Sequence, residues 1–306
     1  EGLFKMEESE LVGKELGFVV DVPELVPLIR GAKESGQRRT GEFVDESGRH
    51  LHTMVMPFSE AKGWYAGSVI IFRDVTAEKR TDQVRKDFVA NVSHELKTPI
   101  TAVRGFTETL LDGALENRED AVRFLKTMKF HSERMERLIQ DLITLSRIEF
   151  GAMPFDKKPV QLGPLVSEVL KVFEGRAAEK GVALRKEIEE GCSLPEADPA
   201  RLEQILLNLL DNALKYTDEG SVNVRAARDS EGGCTLSVED TGIGIPRKYI
   251  PRLGERFFRV DPSRSRELGG TGLGLAIVKH LVKAHGWRME IQSEVGRGTA
   301  VRIHLV

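Results

Sequence analysis

Cysteine is almost missing from this chain: Cys192 and Cys234 are its only two, and no CxxC pair or metal-ligand spacing joins them. That excludes a disulfide-stapled scaffold or a zinc module and fits a reducing compartment. An excess of one charge sign is lacking too. Lys and Arg number 45 against 48 Asp and Glu, a net charge of −3, so no global field invites nucleic acid or an anionic membrane. No apolar run comes near the roughly 20 residues that span a bilayer. The strongest cue is the short stretch Val69-Ile70-Ile71-Phe72, and no membrane contact is expected within the fragment. The seven histidines make no metal site by spacing. His280 and His285, five apart on one expected helix, do not share a face and are expected at the surface. The chain starts at Glu1 without an initiator Met and reads as an excised fragment, which leaves a membrane anchor upstream of Glu1 open.

What is present is ordinary for globular protein: 40% apolar and 30% charged residues over 306 positions. That length exceeds one compact core and predicts two or three domains. Residues 1–75 read as a small α/β module. Strands at 41–45 and 50–58 flank a turn at Ser47-Gly48, Tyr65 to Phe72 is a further strand, and Leu25, Leu28 and Ile29 recur at helical spacing. From Thr76 the pattern becomes one long amphipathic helix, with Val84, Phe88, Val92, Leu96, Val103, Phe106 and Leu110 in a near-heptad stripe and Asp74 or Thr76 as its cap. Leu111-Asp112-Gly113 stops it. A second amphipathic helix runs from near Glu119 to Phe150, ended by Gly151 and Pro154. Two such helices form an antiparallel hairpin whose stripes need a partner, and a second copy completing a four-helix bundle is the economical cover. A homodimer is therefore expected. From Phe155 to Val306 strands and helices alternate, with helices at 165–178, 199–215 and 273–285 and a long charged loop between Pro246 and Thr271.

Three motifs in this last segment carry chemistry together. Asn208, Asn212 and Lys215 fall at i, i+4 and i+7 of one helix and share a face. An Asn carbonyl can ligate a hard cation such as Mg²⁺ beside phosphate oxygens, and Lys215 can neutralise phosphate charge. Asp240-Thr241-Gly242-Ile243-Gly244 follows a strand, where a carboxylate beside glycines suits an amino donor such as adenine N6. Gly270-Thr271-Gly272-Leu273-Gly274 opens a helix whose free N–H groups attract phosphate. It is not a P-loop, since no Gly-Lys-Ser/Thr follows. Singly, each has a bland explanation: a polar helix stripe, a capped turn, a helix start.

In that order, with Phe257-Phe258-Arg259 in the charged loop between them, they resemble the ATP-binding domain shared by histidine kinases, gyrase, the Hsp90 chaperones and MutL. The resemblance spans about 155–306 and implies an α/β-sandwich. It implies that Asn212 ligates Mg²⁺, with Asn208 and Lys215 near the phosphates and Tyr216 against the base. Asp240 would hold the adenine amino group. Gly242, Gly244, Gly270, Thr271, Gly272, Leu273 and Gly274 would shape the pocket and its lid. Arg259 would point at the terminal phosphates, and Gly296-Arg297-Gly298-Thr299 is similar to the last glycine motif of that family.

The hairpin carries Ser93-His94-Glu95-Leu96-Lys97-Thr98-Pro99-Ile100. Val92 and Leu96 claim the bundle core, which leaves His94 facing out, with Thr98 one turn further on. Pro99 inside the helix costs about 3 kcal/mol and marks a candidate hinge. An imidazole is largely neutral near neutral pH and so a competent nucleophile. Glu95 can orient the ring or take its proton.

This octapeptide resembles the phosphoacceptor box of sensor histidine kinases of the PhoR, ResE and WalK type, and with the ATP domain the likeness covers about 80–306. It implies autophosphorylation of His94 from ATP, with ADP as product, and transfer to an aspartate of a response-regulator receiver domain docking near Ile100 and Val103. Through Glu95 and Thr98 it also implies dephosphorylation of that regulator. The domains implied are a truncated PAS-like module at 1–75, a dimerisation and phosphotransfer hairpin at 76–152, and the ATP domain at 155–306, all cytoplasmic. The PAS likeness rests on Phe72-Arg73-Asp74-Val75-Thr76. Residues 1–76 hold no Cys, which argues against a flavin-adduct light sensor. An ATP-gated clamp of the gyrase or chaperone kind would not need an exposed phosphoacceptor. A non-catalytic scaffold would not need Asn212, Asp240 and the pocket glycines intact.

Overall fold

The computed structural model describes residues 11–14, 24–60, 64–149, 153–228 and 233–305. The chain forms two compact units, residues 1–90 and 91–306. In the first, helix α1 (Leu25–Ser35) packs on an antiparallel sheet of β1 (Arg39–Val44), β2 (His50–Ser59) and β3 (Tyr65–Asp74), ordered β1-β2-β3. Leu25, Ala32 and Val55 form its core, with Leu28, Ile29, Phe43, Ile70 and Phe72 against them. The Asp45–Arg49 turn joins β1 and β2 as the Ser47-Gly48 signal requires, with Gly48 at φ 77°.

Helix α2 (Thr76–Leu111) starts where Asp74 Oδ1 accepts from the Thr76 N–H at 2.9 Å, the Asp cap the sequence suggests. It continues through Pro99, whose ring is buried. A turn at 112–117 leads into α3 (Arg118–Glu149), opened by Asn117 Oδ1 accepting from Glu119 N at 3.0 Å. The pairs Phe106–Phe124, stacked at 5.3 Å between centroids, and Glu95–Arg134, at 2.5 Å, set the two helices antiparallel. Phe150 and Gly151, expected at the end of α3, lie outside the described residues.

The rest of the second unit is a two-layer sandwich. Its sheet runs β5 (Val182–Ile188), β7 (Gly220–Arg228), β8 (Cys234–Asp240), β10 (Gly298–Leu305), β9 (Arg288–Glu294), with β5 and β7 parallel and the other neighbours antiparallel. Helices α4 (Leu162–Lys180), α5 (Pro199–Tyr216) and α7 (Gly274–His285) make the second layer, burying Val166, Phe173, Leu206, Leu210, Ile277 and Leu281. The far sheet face carries a charge ladder, Glu187–Arg225–Glu239–Arg302. A short pair, β4 (Lys158–Gln161) and β6 (Ser193–Ala197), closes one end. The sequence reading did not anticipate β4, β5 or β6, nor the short α6 (Pro262–Glu267) in the charged loop. His285 is not the surface residue expected: its ring stacks on Trp287 at 4.0 Å and meets Phe155 edge-on at 4.7 Å.

Helix α5, which carries the Asn motif, is fixed at its start by Asp198. This buried carboxylate accepts from Ala200 N (3.0 Å) and Arg201 N (3.2 Å), and Pro199 occupies the first helical position. Its second oxygen accepts from Asp156 N at 3.0 Å. Asp198→Ala is expected to lower stability by about 2 kcal/mol, the upper end for a cap, read from the urea midpoint. An unmoved midpoint would show that the cap does not hold the helix.

Candidate active site

A cavity of about 350 Å³ opens between α5, the end of β8, the 241–273 loops and α3. The register of the sheet builds its first wall. Asp240, last in β8, lies opposite Thr299 of β10, and Asp240 Oδ1 accepts from Thr299 N (3.2 Å) and Gly242 N (2.9 Å). Among the described residues Oδ2 takes no hydrogen bond, which leaves it for a donor in the cavity that Asp240 lines. Burial pushes this carboxyl above the usual range, against the pull of the two N–H groups. Around it the lining is apolar: Val238, Ile243, Ile245, Leu253, Ile291 and Val301. A flat heteroaromatic ring with an amino group suits this end.

Glycine is required where backbones meet. A side chain at Gly244, at φ 68°, would run into the Glu294 carbonyl. At Gly274 an added carbon would lie 2.6 Å from Asn208 Oδ1. Asn208 Nδ2 donates to Gln204 O at 2.9 Å, which turns Oδ1 toward the first residues of α7.

The opposite end is polar. Asn208, Asn212 and Lys215 line it together, as their helical spacing requires, with Tyr216 beside them. Lys215 Nζ is held by Asp211 Oδ2 at 2.5 Å, and Arg176 donates to Asp211 Oδ1 at 2.9 Å. Burial favours a neutral Asp211, but Lys215 and Arg176 outweigh it and hold its carboxyl below the ordinary value. Gly270, Thr271, Gly272 and Gly274 line the cavity, whereas Gly242 and Leu273 are buried behind it. The loop over this end carries Phe257 at φ 62°, a left-handed backbone costly for a non-glycine residue, pinned by its N–H to Gly272 O at 2.9 Å.

The hairpin supplies the remaining wall, which the sequence reading did not foresee. Arg137 and Asp141 of α3 line the cavity, and Asp141 Oδ2 accepts from Thr271 Oγ1 at 2.7 Å. Burial pushes the Asp141 carboxyl up, opposed by that hydroxyl and by the charges of Lys215 and Arg137. The available signal was their place on α3: residues 134, 137, 141, 145 and 149 recur at helical spacing, a face that shares Leu145 with the Leu138–Leu142–Leu145 stripe. Glu149 extends this face, pairing with Arg256.

His94 is exposed on α2, as Val92 and Leu96, both half-buried, require. Thr98 Oγ1 donates back to His94 O at 3.2 Å. Glu95 is gripped from two sides: Arg134 Nη2 at 2.5 Å, and Arg259 at 3.0 and 3.2 Å. The side chains of both arginines are 5% exposed. Arg259 also donates to Gly270 O at 2.9 Å and lines the nucleotide-sized cavity. Its guanidinium thus joins the loop to the residue after His94.

A helical hairpin with an exposed histidine beside such a pocket defines a class, the two-part phosphotransfer kinases. Two family models match: "His Kinase A (phospho-acceptor) domain" over 84–151 and "Histidine kinase-, DNA gyrase B-, and HSP90-like ATPase" over 197–306. The phosphate regulon sensor protein PhoR of Pseudomonas aeruginosa is 42% identical over 77% of this chain and 53% of its own length. A sensor protein kinase WalK of Staphylococcus aureus is 34% identical over 98% of this chain and 72% of its own. The chain belongs to the sensor histidine kinases, and it spans about half the length of several curated relatives it matches. Among solved structures, full-length ShkA in complex with AMPPNP superposes with a TM-score of 0.54 at 29% identity, over 72% of this chain and 45% of that one. ThkA in complex with the response regulator protein TrrA superposes at 0.59 over 99% of this chain and 89% of that one, at 22% identity, and so shares the fold.

Removing Glu95 leaves two buried guanidinium groups without their shared carboxylate. Glu95→Ala is expected to cost about 3 kcal/mol, visible as a lower melting temperature. A melt identical to that of the unsubstituted chain would show the pairing to be energetically idle.

Proposed function

We propose that this chain is an ATP-dependent protein histidine kinase that phosphorylates its own His94 and passes the phosphoryl group to an aspartate of a response-regulator receiver domain. The observation that carries the reading is the Arg259 bridge: the loop over the nucleotide pocket is bonded to Glu95, one residue from an exposed imidazole. The loop over the pocket and the helix that carries His94 therefore touch.

Each residue then has a task. Asp240 Oδ2 accepts the adenine amino group, and the apolar lining with Tyr216 covers the base. The oxygen donors at the other end, Asn212 and the turned Oδ1 of Asn208, fit the preference of a hard cation for oxygen. Asn212 would hold Mg²⁺ there, which would supply neutralising charge to the triphosphate. Lys215 and Arg259 add fixed positive charge at the phosphates, where phosphoryl transfer depends mainly on positioning and electrostatics. When Arg259 turns to the γ-phosphate, Glu95 keeps Arg134 and becomes available to orient the His94 ring and receive its proton. Thr98, freed from the His94 carbonyl, serves with Glu95 in dephosphorylating the regulator. ADP leaves the same pocket.

The working form is a homodimer. Ile100, Leu111, Val122, Leu125, Ile139 and Ile143 are exposed on the hairpin, and Val122, Leu125, Ile139 and Ile143 fall along one stripe of α3, the kind of face a second hairpin covers. The domain limits proposed remain 1–75, 76–152 and 155–306, with the first a PAS-like relay. No described helix is long and apolar enough to cross a membrane, and the proposed site of action is the cytoplasm, where ATP is available.

With labelled ATP and Mg²⁺ the chain should acquire acid-labile, base-stable phosphate, and His94→Gln should abolish it. Full labelling of that variant would move the acceptor elsewhere. Asp240→Asn should weaken ATP binding about tenfold, as loss of a charged hydrogen bond does. Unchanged affinity would reject the adenine role of Asp240.

A further inference from the structure

The phosphate end of the pocket already has an anionic occupant supplied by the chain itself. Asp141 reaches from α3 into the cavity and takes the hydroxyl of Thr271 at 2.7 Å. Thr271 Oγ1 in turn accepts from Leu273 N at 3.3 Å, at the opening of α7. The carboxylate therefore binds, through one hydroxyl, to the group of donors that attracts phosphate at a helix start. A triphosphate in the same place would sit against a like charge in a partly buried setting, where repulsion is screened poorly.

Asp141 is not alone. Arg137, one turn earlier, lies against Gly269, and Glu149, two turns later, pairs with Arg256 and lies 3.5 Å from His280. Leu145 between them is 1% exposed. One face of α3 thus lines the pocket through Arg137 and Asp141 and continues, through Leu145 and Glu149, onto the neighbouring loop and α7, about three turns in all.

We propose that α3 is a built-in competitor for nucleotide phosphate: Asp141 holds Thr271, and a triphosphate binds by displacing it and loosening the α3 face from the pocket. The proposal rests on the nucleotide-site reading above and adds a coupling to it. Because the coupling is reciprocal, a hairpin pressed onto the pocket weakens triphosphate binding as much as triphosphate loosens the hairpin. Any change in α3 that tightens this face, such as strain arriving along the hairpin, then lowers ATP occupancy. Adenosine has no phosphate and binds the closed arrangement as well as the open one.

The test is calorimetric titration of the full chain with a non-hydrolysable ATP analogue plus Mg²⁺, and separately with adenosine. Asp141→Ala should tighten the analogue about threefold to tenfold, the worth of one hydrogen bond, and leave adenosine affinity unmoved, which also reports an intact fold. Glu149→Ala has no atom in the pocket yet loosens the same helix face, and it should tighten the analogue in the same direction. Analogue affinity that is unchanged or weaker in Asp141→Ala overturns the proposal, as does equal tightening of adenosine, or weakening by Glu149→Ala. An unsubstituted chain that binds neither ligand defeats the nucleotide-site reading itself, a result distinct from all of these.

Discussion

The carboxylate of Glu95 is the point on which this arrangement turns. It lies between two nearly buried guanidinium groups, one from the hairpin and one from the loop over the pocket. Two charges of one sign cannot be left in such a place without an acid between them. Glu95 therefore does more than stand beside His94. It ties the phosphoacceptor helix to the pocket loop and fixes where Arg259 points. The same contact keeps both oxygens of Glu95 occupied by guanidinium groups. On the function proposed above, the terminal phosphate of a nucleotide competes with Glu95 for Arg259.

A second set of contacts, along α3, joins the same two parts in a different way. Leu145 supplies buried apolar surface, while Asp141 and Glu149 reach Thr271 and Arg256 in the loop before α7. Glu95 and Asp141 both engage groups that phosphate would claim, Arg259 in one case and Thr271 in the other. The hairpin and the nucleotide thus address the same donors. That shared demand is a physical basis for linking pocket occupancy to helix position.

Much of this was legible in the residues. The Asn208–Asn212–Lys215 spacing placed three polar groups on one helix face because an α-helix repeats every 3.6 residues. The glycines at 242–244 and 270–274 announced close backbone approach, and the antiparallel hairpin followed from two apolar stripes with a short connection. Less visible were β5, whose Arg185, Lys186 and Glu187 break the apolar alternation on an edge strand, and β4 and β6, which are short and irregularly registered. Edge strands need little apolar signal because one side faces water. Asp141 and Arg134 were hidden for another reason. A charged residue next to an apolar helix stripe looks like solvated surface until a second element is packed over it. The path of the chain between Pro246 and Thr271, including the left-handed Phe257, depends on the bond from Phe257 to Gly272 and on the contact of Arg259 with Glu95, far away in sequence.

The central claim is chemical: a phosphorus–nitrogen bond forms on His94. Phosphorus NMR of the chain after incubation with ATP and Mg²⁺, coupled to mass-spectrometric mapping of the modified peptide, reads that bond directly. The account predicts a single phosphoramidate signal that disappears on acidification, located on the peptide containing His94. Phosphate found instead as an ester on Ser or Thr, or a phosphoramidate on another histidine, would contradict it.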